Sequence, residues 1–115
     1  MHDETFPKSK RLLKKRDFAH LKKNSFCFTG RSIYIHWRPT HNSKSRLGIT
    51  VTKKFAKSHD RNLFKRYVRE AFRQTSSKFE KSLDLNVRPK VSKEKIAFED
   101  IRNDIMVFFG THASH

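Results

Sequence analysis

Several classes of protein depend on residues that are scarce in this chain of 115 residues. Its single cysteine, Cys27, excludes an internal disulfide and a cysteine-based zinc cluster. No apolar run approaches the ~20 residues of a membrane-spanning helix, and the first residues lack the apolar segment of a signal peptide. Glycine-rich phosphate loops and nucleophile motifs are also missing. We therefore expect a cytoplasmic protein with no active site of its own and no metal site.

Acidic residues are scarce as well. Against 27 Lys and Arg there are 11 Asp and Glu, which gives a formal net charge of +16. Such a chain repels itself and needs a polyanion to offset its charge. Nucleic acid is the leading candidate, because the missing apolar segments count against a membrane. The 11 phenylalanines still supply a core, and the length suits one domain.

The pattern along the chain predicts one domain at residues 17–110. Residues 1–16 combine many Lys and Arg with little apolar periodicity, so we expect a basic arm that is at least partly flexible. Residues 111–115 are expected to form a flexible tail. Phe18 and Leu21, three residues apart, predict a short first helix at about residues 15–23.

Three segments have the composition of β-strands. Residues 32–37 are rich in aromatic and β-branched residues, and residues 46–52 alternate in polarity. We expect these two to form antiparallel strands joined by a loop, with residues 27–28 as an extension or a short neighbour. Residues 83–88 predict a further short strand, although Asn86 weakens the pattern.

Residues 58–77 have the pattern of an amphipathic helix. The apolar residues that share its core-facing side are Phe64, Tyr67, Val68, Ala71 and Phe72. The polar residues on the opposite side are Asn62, Lys65, Arg66, Arg69 and Arg73. This one helix is therefore predicted to present a packed side and a basic side.

A last helix is predicted from apolar residues at helical spacing. These residues are Phe98, Ile101, Ile105, Phe108 and Phe109. Gly110 is expected just past the end of this helix, where glycine is common. The residues expected on its outer face are Glu99, Asp100, Arg102 and Asp104.

The functional prediction rests on the row of cations in the helix predicted at residues 58–77. A helix face that is merely solvated mixes charges of both signs, whereas Lys65 and Arg69 repel each other and only Glu70 interrupts the row. Lys53 and Lys54 end the preceding strand and can extend the row into one positive patch for phosphates. A solvated charged face remains the alternative.

Two segments resemble the signature of the bacterial ribonuclease P protein component. Residues 46–54 read RLGITVTKK, and after six further residues positions 61–73 read RNLFKRYVREAFR. Arg11-Leu12 and Asp17-Phe18 also agree with the first helix of that family. The likeness spans about residues 9–109 and is weaker in its final third.

The resemblance implies an α/β fold, an α+β sandwich with about four strands in one sheet and three helices. A left-handed βαβ crossover would contain the basic helix. It also implies a subunit of an endoribonuclease that removes the 5′ leader of precursor tRNA, with the catalytic centre and most of the Mg²⁺ in the RNA. The implied partners are that catalytic RNA and precursor tRNA, and the protein is expected to be monomeric apart from RNA.

Together with the helix pattern, the resemblance implies two binding surfaces. The predicted RNA-binding residues are Lys53, Lys54, Arg61, Asn62, Lys65, Arg66, Arg69 and Arg73. The predicted cleft for the single-stranded leader contains Phe18, Tyr34, His36 and Trp37. Leu63 departs from the usual Arg-Asn-Arg of the family, and Lys22 and His36 replace residues that are often aromatic. Those replacements shift the expected stacking to Tyr34 or Trp37.

Two other functions stay open. A structural ribosomal or ribosome-assembly RNA-binding protein would share the charge, size and architecture, but would not account for the pattern of residues 61–73. A DNA architectural protein is expected to dimerise and to carry an apolar wedge or a minor-groove arm, and neither is evident.

Overall fold

The computed structural model describes residues 25–40, 45–76 and 82–112, and the statements below refer to these ranges. Their strands and α-helices are β1 (Phe26–Thr29), β2 (Ile33–Pro39), β3 (Arg46–Ile49), α1 (Ser58–Ser76), β4 (Leu83–Pro89) and α2 (Phe98–His112). A 3₁₀ helix, Lys93–Lys95, precedes α2. The predicted basic arm and first helix lie outside the described residues. Both described α-helices were predicted from the sequence, α1 to within one residue at its end.

The four strands form one mixed sheet in the order β1-β2-β4-β3. β1 and β4 both pair antiparallel with β2, and β3 pairs parallel with β4. The prediction of a direct β2–β3 pair is wrong, because β4 lies between these two strands. Parallel neighbours need a long connection, and α1 lies in the chain between β3 and β4. β4, the strand with the weakest sequence pattern, is therefore one of the two central strands of the sheet.

One face of the sheet packs against both helices in a single core. Side chains alternate between the two faces of a strand, which places the apolar residues of each strand together. The buried strand residues are Ile33, Ile35, Leu47, Leu83, Leu85 and Val87. The buried helix residues are Phe64, Val68, Ala71 and Phe72 of α1 and Ile101, Ile105, Phe108 and Phe109 of α2. Burial of each large side chain contributes about 1.5–3 kcal/mol, so this core holds both helices on the same side.

Asp104 is a polar residue within this packed region. The prediction that it lies on the outer face of α2 is wrong, because the residue is only 6% exposed. Its carboxylate accepts hydrogen bonds from the backbone N–H groups of Arg31, Ser32 and Ile33, at 3.0, 2.7 and 3.2 Å. These donors lie at the turn between β1 and β2, and a charged acceptor makes their hydrogen bonds strong. Asp104 thus ties α2 to that turn.

The end of α2 also differs from the prediction. Gly110 was expected to follow the helix. Instead, α2 includes Gly110 and continues to His112. No glycine among the described residues has the positive φ typical of a helix-ending glycine. Within the described ranges, neither helix has the length and apolar character needed to cross a membrane.

Candidate nucleic-acid interface

The outer side of α1 carries the predicted row of polar and basic side chains. We call Asn62, Lys65, Arg66, Arg69 and Arg73 the α1 basic face. Core packing of the opposite stripe turns these residues outward. Three of them are exposed, and Lys65 and Arg69 are half-buried. The structure therefore brings the predicted helix residues together on one surface.

The two acidic residues of α1, Asp60 and Glu70, each form an ion pair with a cation of the protein. Glu70 accepts hydrogen bonds from Arg73 and, at 3.0 Å, from Gln74. The hydrogen bonds from Arg73 and then from Gln74 lower the pKa of Glu70 below its ordinary value. Asp60 lies 3.6 Å from the Nζ atom of Lys93. Arg73 is therefore partly neutralised within the protein.

Lys65 and Arg66 differ from Arg73 in this respect. Among the described residues, no acidic side chain forms an ion pair with either of them. Their positive charges lie one residue apart on the helix. A polyanion that contacts the α1 basic face would therefore meet these two charges without displacing an acid of the protein.

Lys53 and Lys54 lie in the turn that leads from β3 to α1, and both are exposed. The backbone N–H of Phe55 donates to the carbonyl of Thr52 at 3.1 Å, which closes the turn. The Phe55 ring packs against Phe64 of the core, with 5.8 Å between ring centroids. Packing of this ring fixes the turn beside α1, so the two lysines stay close to the first turn of the helix.

Arg61, another predicted RNA-binding residue, makes a contact within the protein. One terminal nitrogen of its guanidinium donates to the carbonyl oxygen of Ala56 at 2.8 Å. This bond joins the start of α1 to the preceding segment. Arg61 is half-buried, so part of its hydrogen-bonding capacity serves the local fold.

The face of the sheet opposite the core is polar. We call it the polar face, and its residues in β2, β4 and β3 are Tyr34, His36, Arg38, Asp84, Asn86, Arg88 and Arg46. The register places Tyr34 opposite Arg88 and His36 opposite Asn86. Two of the four residues predicted for a leader cleft, Tyr34 and His36, thus lie on this face.

An aromatic ring and a cation are combined at one end of the polar face. The guanidinium of Arg88 lies over the Tyr34 ring, 5.5 Å from its centroid, which is a cation–π arrangement. His36 is half-buried nearby, and its pKa is lowered first by burial and then by the positive charge of Arg88. The lowered pKa favours a neutral imidazole at neutral pH. A ring, a cation and a neutral imidazole suit an unpaired base and its phosphate.

A second charged cluster lies at the other end of the polar face. Asp84 is buried, and it accepts two hydrogen bonds from Arg46, at 2.9 Å from Nε and 2.8 Å from Nη2. The Nη2 atom of Arg38 lies 3.7 Å from the same carboxylate. Sequence reasoning missed this cluster, because it depends on the pairing of β4 with both β2 and β3. The alternation of polar and apolar residues in β4 is the signal that could have indicated it.

Trp37 is not brought to the polar face. Trp37 projects to the opposite side of β2, where its ring lies 5.6 Å from that of Phe108 and 5.0 Å from that of Phe26. The structure therefore separates Trp37 from Tyr34. Phe18 lies outside the described residues.

A metal site is not evident in the described part of the chain. No three His, Cys, Asp or Glu side chains converge there as metal ligands would. The carboxylate of Asp84 is bonded to Arg46 instead.

Comparisons with known proteins agree on one family. The family model described as Ribonuclease P matches residues 6–112. A Chlamydia pneumoniae protein described as "Ribonuclease P protein component" is 37% identical over 107 residues, which cover 92% of this chain and 76% of the relative. A Chlamydia caviae protein with the same description is 40% identical over 105 residues, covering 90% of this chain and 74% of the relative.

Solved structures agree in fold. The RNase P protein from Thermotoga maritima has a TM-score of 0.75 and 31% identity, and the match covers 86% of this chain and 94% of that one. A mutant of the Staphylococcus aureus RNase P protein has a TM-score of 0.78 and 25% identity, covering 90% of this chain and 87% of that one.

Proposed function

This chain belongs to the ribonuclease P protein family, and from that premise we propose that it binds the catalytic RNA of a ribonucleoprotein endoribonuclease and the 5′ leader of precursor tRNA. In this proposal the particle removes the leader in the cytoplasm. The description shared by the relatives, a protein component of ribonuclease P, supports the RNA partnership. The left-handed βαβ crossover and the third helix of the family are part of the same proposal.

The catalytic RNA is assigned to the α1 basic face. The observation that carries this assignment is the placement of Lys65 and Arg66 on the outer side of α1, while both acids of the helix are paired with other cations. An arginine fork can bond two phosphate oxygens, and a lysine supplies a point charge. The side-chain amide of Asn62 offers a donor and an acceptor to a sugar or base edge.

The single-stranded leader is assigned to the polar face of the sheet. Single strands are bound by positive grooves with aromatic platforms rather than by readout of base edges. Tyr34 supplies the ring and Arg88 the cation at one end of the polar face. Recognition of this kind tolerates different leader sequences.

The role of the protein is then positioning and charge neutralisation. Two RNAs that approach each other repel, and cations between them lower that repulsion. The attacking water would be activated by Mg²⁺ that belongs to the RNA partner. The described residues contribute binding, orientation and charge, and no bond-making step is assigned to them.

Reconstitution of cleavage tests the proposal. The protein is added to a bacterial ribonuclease P RNA at low Mg²⁺, and 5′ cleavage of precursor tRNA is measured. We expect the wild-type protein to restore cleavage and a variant with Lys65→Gln and Arg66→Gln to restore much less. The proposed RNA partnership would be overturned if the folded wild-type protein gave no rescue.

A variant with Arg31→Gln and Lys95→Gln is the matched control. It removes the same number of charges from exposed residues outside α1 and the polar face. We expect it to restore cleavage nearly as well as the wild type. Equal loss in both variants would show that net charge, rather than the α1 basic face, determines binding. A general RNA-binding protein of the ribosomal class would bind this RNA without restoring cleavage.

A further inference from the structure

The cluster of Arg38, Asp84 and Arg46 is a charged group that the α1 basic face does not include. We infer that Arg38 binds a phosphate of the 5′ leader and that Asp84 is the residue that positions it. The inference rests on the proposed function, because it takes the leader to lie on the polar face. It adds a phosphate subsite at the end of that face remote from Tyr34.

The charge of Asp84 is already offset by Arg46. Arg46 bonds both carboxylate oxygens, at 2.9 and 2.8 Å, which is the two-point geometry of a strong guanidinium–carboxylate pair. Arg38 lies farther away, with Nη2 at 3.7 Å from the carboxylate. That distance allows an ion pair but exceeds hydrogen-bond length. Two guanidinium groups therefore share one carboxylate, and the surplus positive charge lies on the Arg38 side.

Arg38 also has a donor without an acceptor. Its Nε atom is buried, and within the described part of the chain it has no hydrogen-bond partner. A buried N–H group without an acceptor is costly to a folded protein. The Arg38 side chain nevertheless keeps 27% of its surface exposed, so a ligand can contact part of it. A phosphate group that contacts the exposed part of this side chain would supply negative charge and acceptor oxygens.

The sheet places Arg38 in line with the stacking residues. Tyr34, His36 and Arg38 occupy alternate positions of β2 and share the polar face. At the usual rise of a strand, Tyr34 and Arg38 are roughly 13 Å apart. A single-stranded RNA leader that runs along β2 can therefore place a base at Tyr34 and the phosphate of an earlier or later nucleotide at Arg38. A phosphate contact carries no base information, so this subsite accepts any leader sequence.

The competing interpretation is that Arg38 serves only the fold by offsetting the charge of Asp84. The two interpretations differ in the leader-dependent gain, which is the affinity of the reconstituted particle for precursor tRNA divided by its affinity for the same tRNA without a leader. We expect Arg38→Gln to reduce this gain about tenfold, because one charge-assisted phosphate contact is lost. Affinity for the leaderless tRNA should stay unchanged.

Arg31→Gln is the control for this measurement. It removes an equal charge from an exposed residue in the β1–β2 turn, outside the polar face. We expect it to keep the full leader-dependent gain. The salt dependence of leader binding should also become shallower by about 0.7 for Arg38→Gln, as expected when one single-strand phosphate contact is lost.

Asp84→Asn separates positioning from simple charge. Removal of a negative charge should by itself strengthen the binding of a polyanion, whereas loss of positioning should weaken it. We expect the leader-dependent gain to fall in this variant. Arg38→Lys keeps the charge without the planar fork, and we expect a gain between those of wild type and Arg38→Gln. Circular dichroism shows which variants are folded.

Four outcomes are decisive. An equal gain in Arg38→Gln and Arg31→Gln, or a larger gain in Asp84→Asn, would overturn the role of Arg38. The proposed function would survive that result, provided that the wild type keeps its own leader-dependent gain. If Arg38→Gln does not fold, Arg38→Met decides by the same comparison, and an unchanged gain would overturn the inference. A wild type without any leader-dependent gain would overturn the leader assignment itself.

Discussion

A Cβ atom on Gly30 would lie 2.5 Å from the carboxyl carbon of Asp104. Real Cβ atoms do not approach other heavy atoms so closely, so the Asp104 carboxylate occupies the space that a side chain at position 30 needs. The contact joins α2 to the β1–β2 turn, because the same carboxylate accepts three backbone hydrogen bonds there. Glycine is required here for close approach rather than for an unusual backbone conformation, since its φ is not positive.

Gly30→Ala is therefore expected to destabilise the protein by about 1–3 kcal/mol, the usual cost of overpacking. Asp104→Ala should also be destabilising, because three backbone donors lose their acceptor. In the double variant the steric conflict is gone, so the two costs should not add. Urea unfolding of the two single variants and the double variant measures this coupling. Simple additivity would contradict the contact between these residues.

The two arginines beside Asp84 should differ in their effect on stability. Arg46 is about 23% exposed and forms both hydrogen bonds to the carboxylate, whereas Arg38 lies at 3.7 Å. Removing one partner of a buried pair typically costs about 3–5 kcal/mol. We expect Arg46→Met to approach that cost and Arg38→Met to cost clearly less, as measured by urea unfolding at neutral pH. The reverse order would show that Arg38 is the main structural partner of Asp84.

The two described α-helices were predictable from the sequence, and the sheet order was not. In α1 the apolar stripe and the basic side are both set by local spacing, so two periodic signals agree over the whole helix. Strand order depends on contacts between distant segments, and no local pattern showed that β4 would separate β2 from β3. Asn86 weakened the prediction of β4, yet its amide oxygen accepts a hydrogen bond from the Thr50 hydroxyl at 3.1 Å.

The same distinction applies to the candidate site. The α1 basic face was predictable because its members share one helix. Arg38 and Asp84 meet only through the β2–β4 register, and the sequence places them far apart. Trp37 was grouped with Tyr34 by residue type, although the alternation of a strand sends positions 34 and 37 to opposite faces. The burial of Asp104 could not be predicted either, because its acceptor role depends on the distant β1–β2 turn.

The pH dependence of stability should contain a contribution from His36. Burial and the charge of Arg88 lower its pKa in the folded protein below the ordinary value of 6.5. The unfolded chain therefore binds a proton more readily than the folded protein, so stability is greatest above about pH 6.5 and falls as the pH drops through the two pKa values. His36→Gln should remove this part of the slope. Urea unfolding of both proteins between pH 5 and pH 8, roughly the range of histidine titration, tests the prediction. Parallel curves would contradict it.

Position 63 offers a gain-of-function test of the α1 basic face. Leu63 is half-buried and directly follows the exposed Asn62 in the first turns of α1. The Arg-Asn-Arg motif of the family usually has arginine at this position. Leu63→Arg would therefore add one cation beside the proposed RNA contact. We expect the affinity for the catalytic RNA to rise several-fold at low salt, and the slope of log affinity against log salt to become steeper by about 0.7–0.9. Leu63→Gln is the matched control, because it changes the polarity without adding charge. If both variants bind with the affinity and salt slope of the wild type, the RNA does not pass this turn of α1, and the α1 contact begins nearer to Lys65.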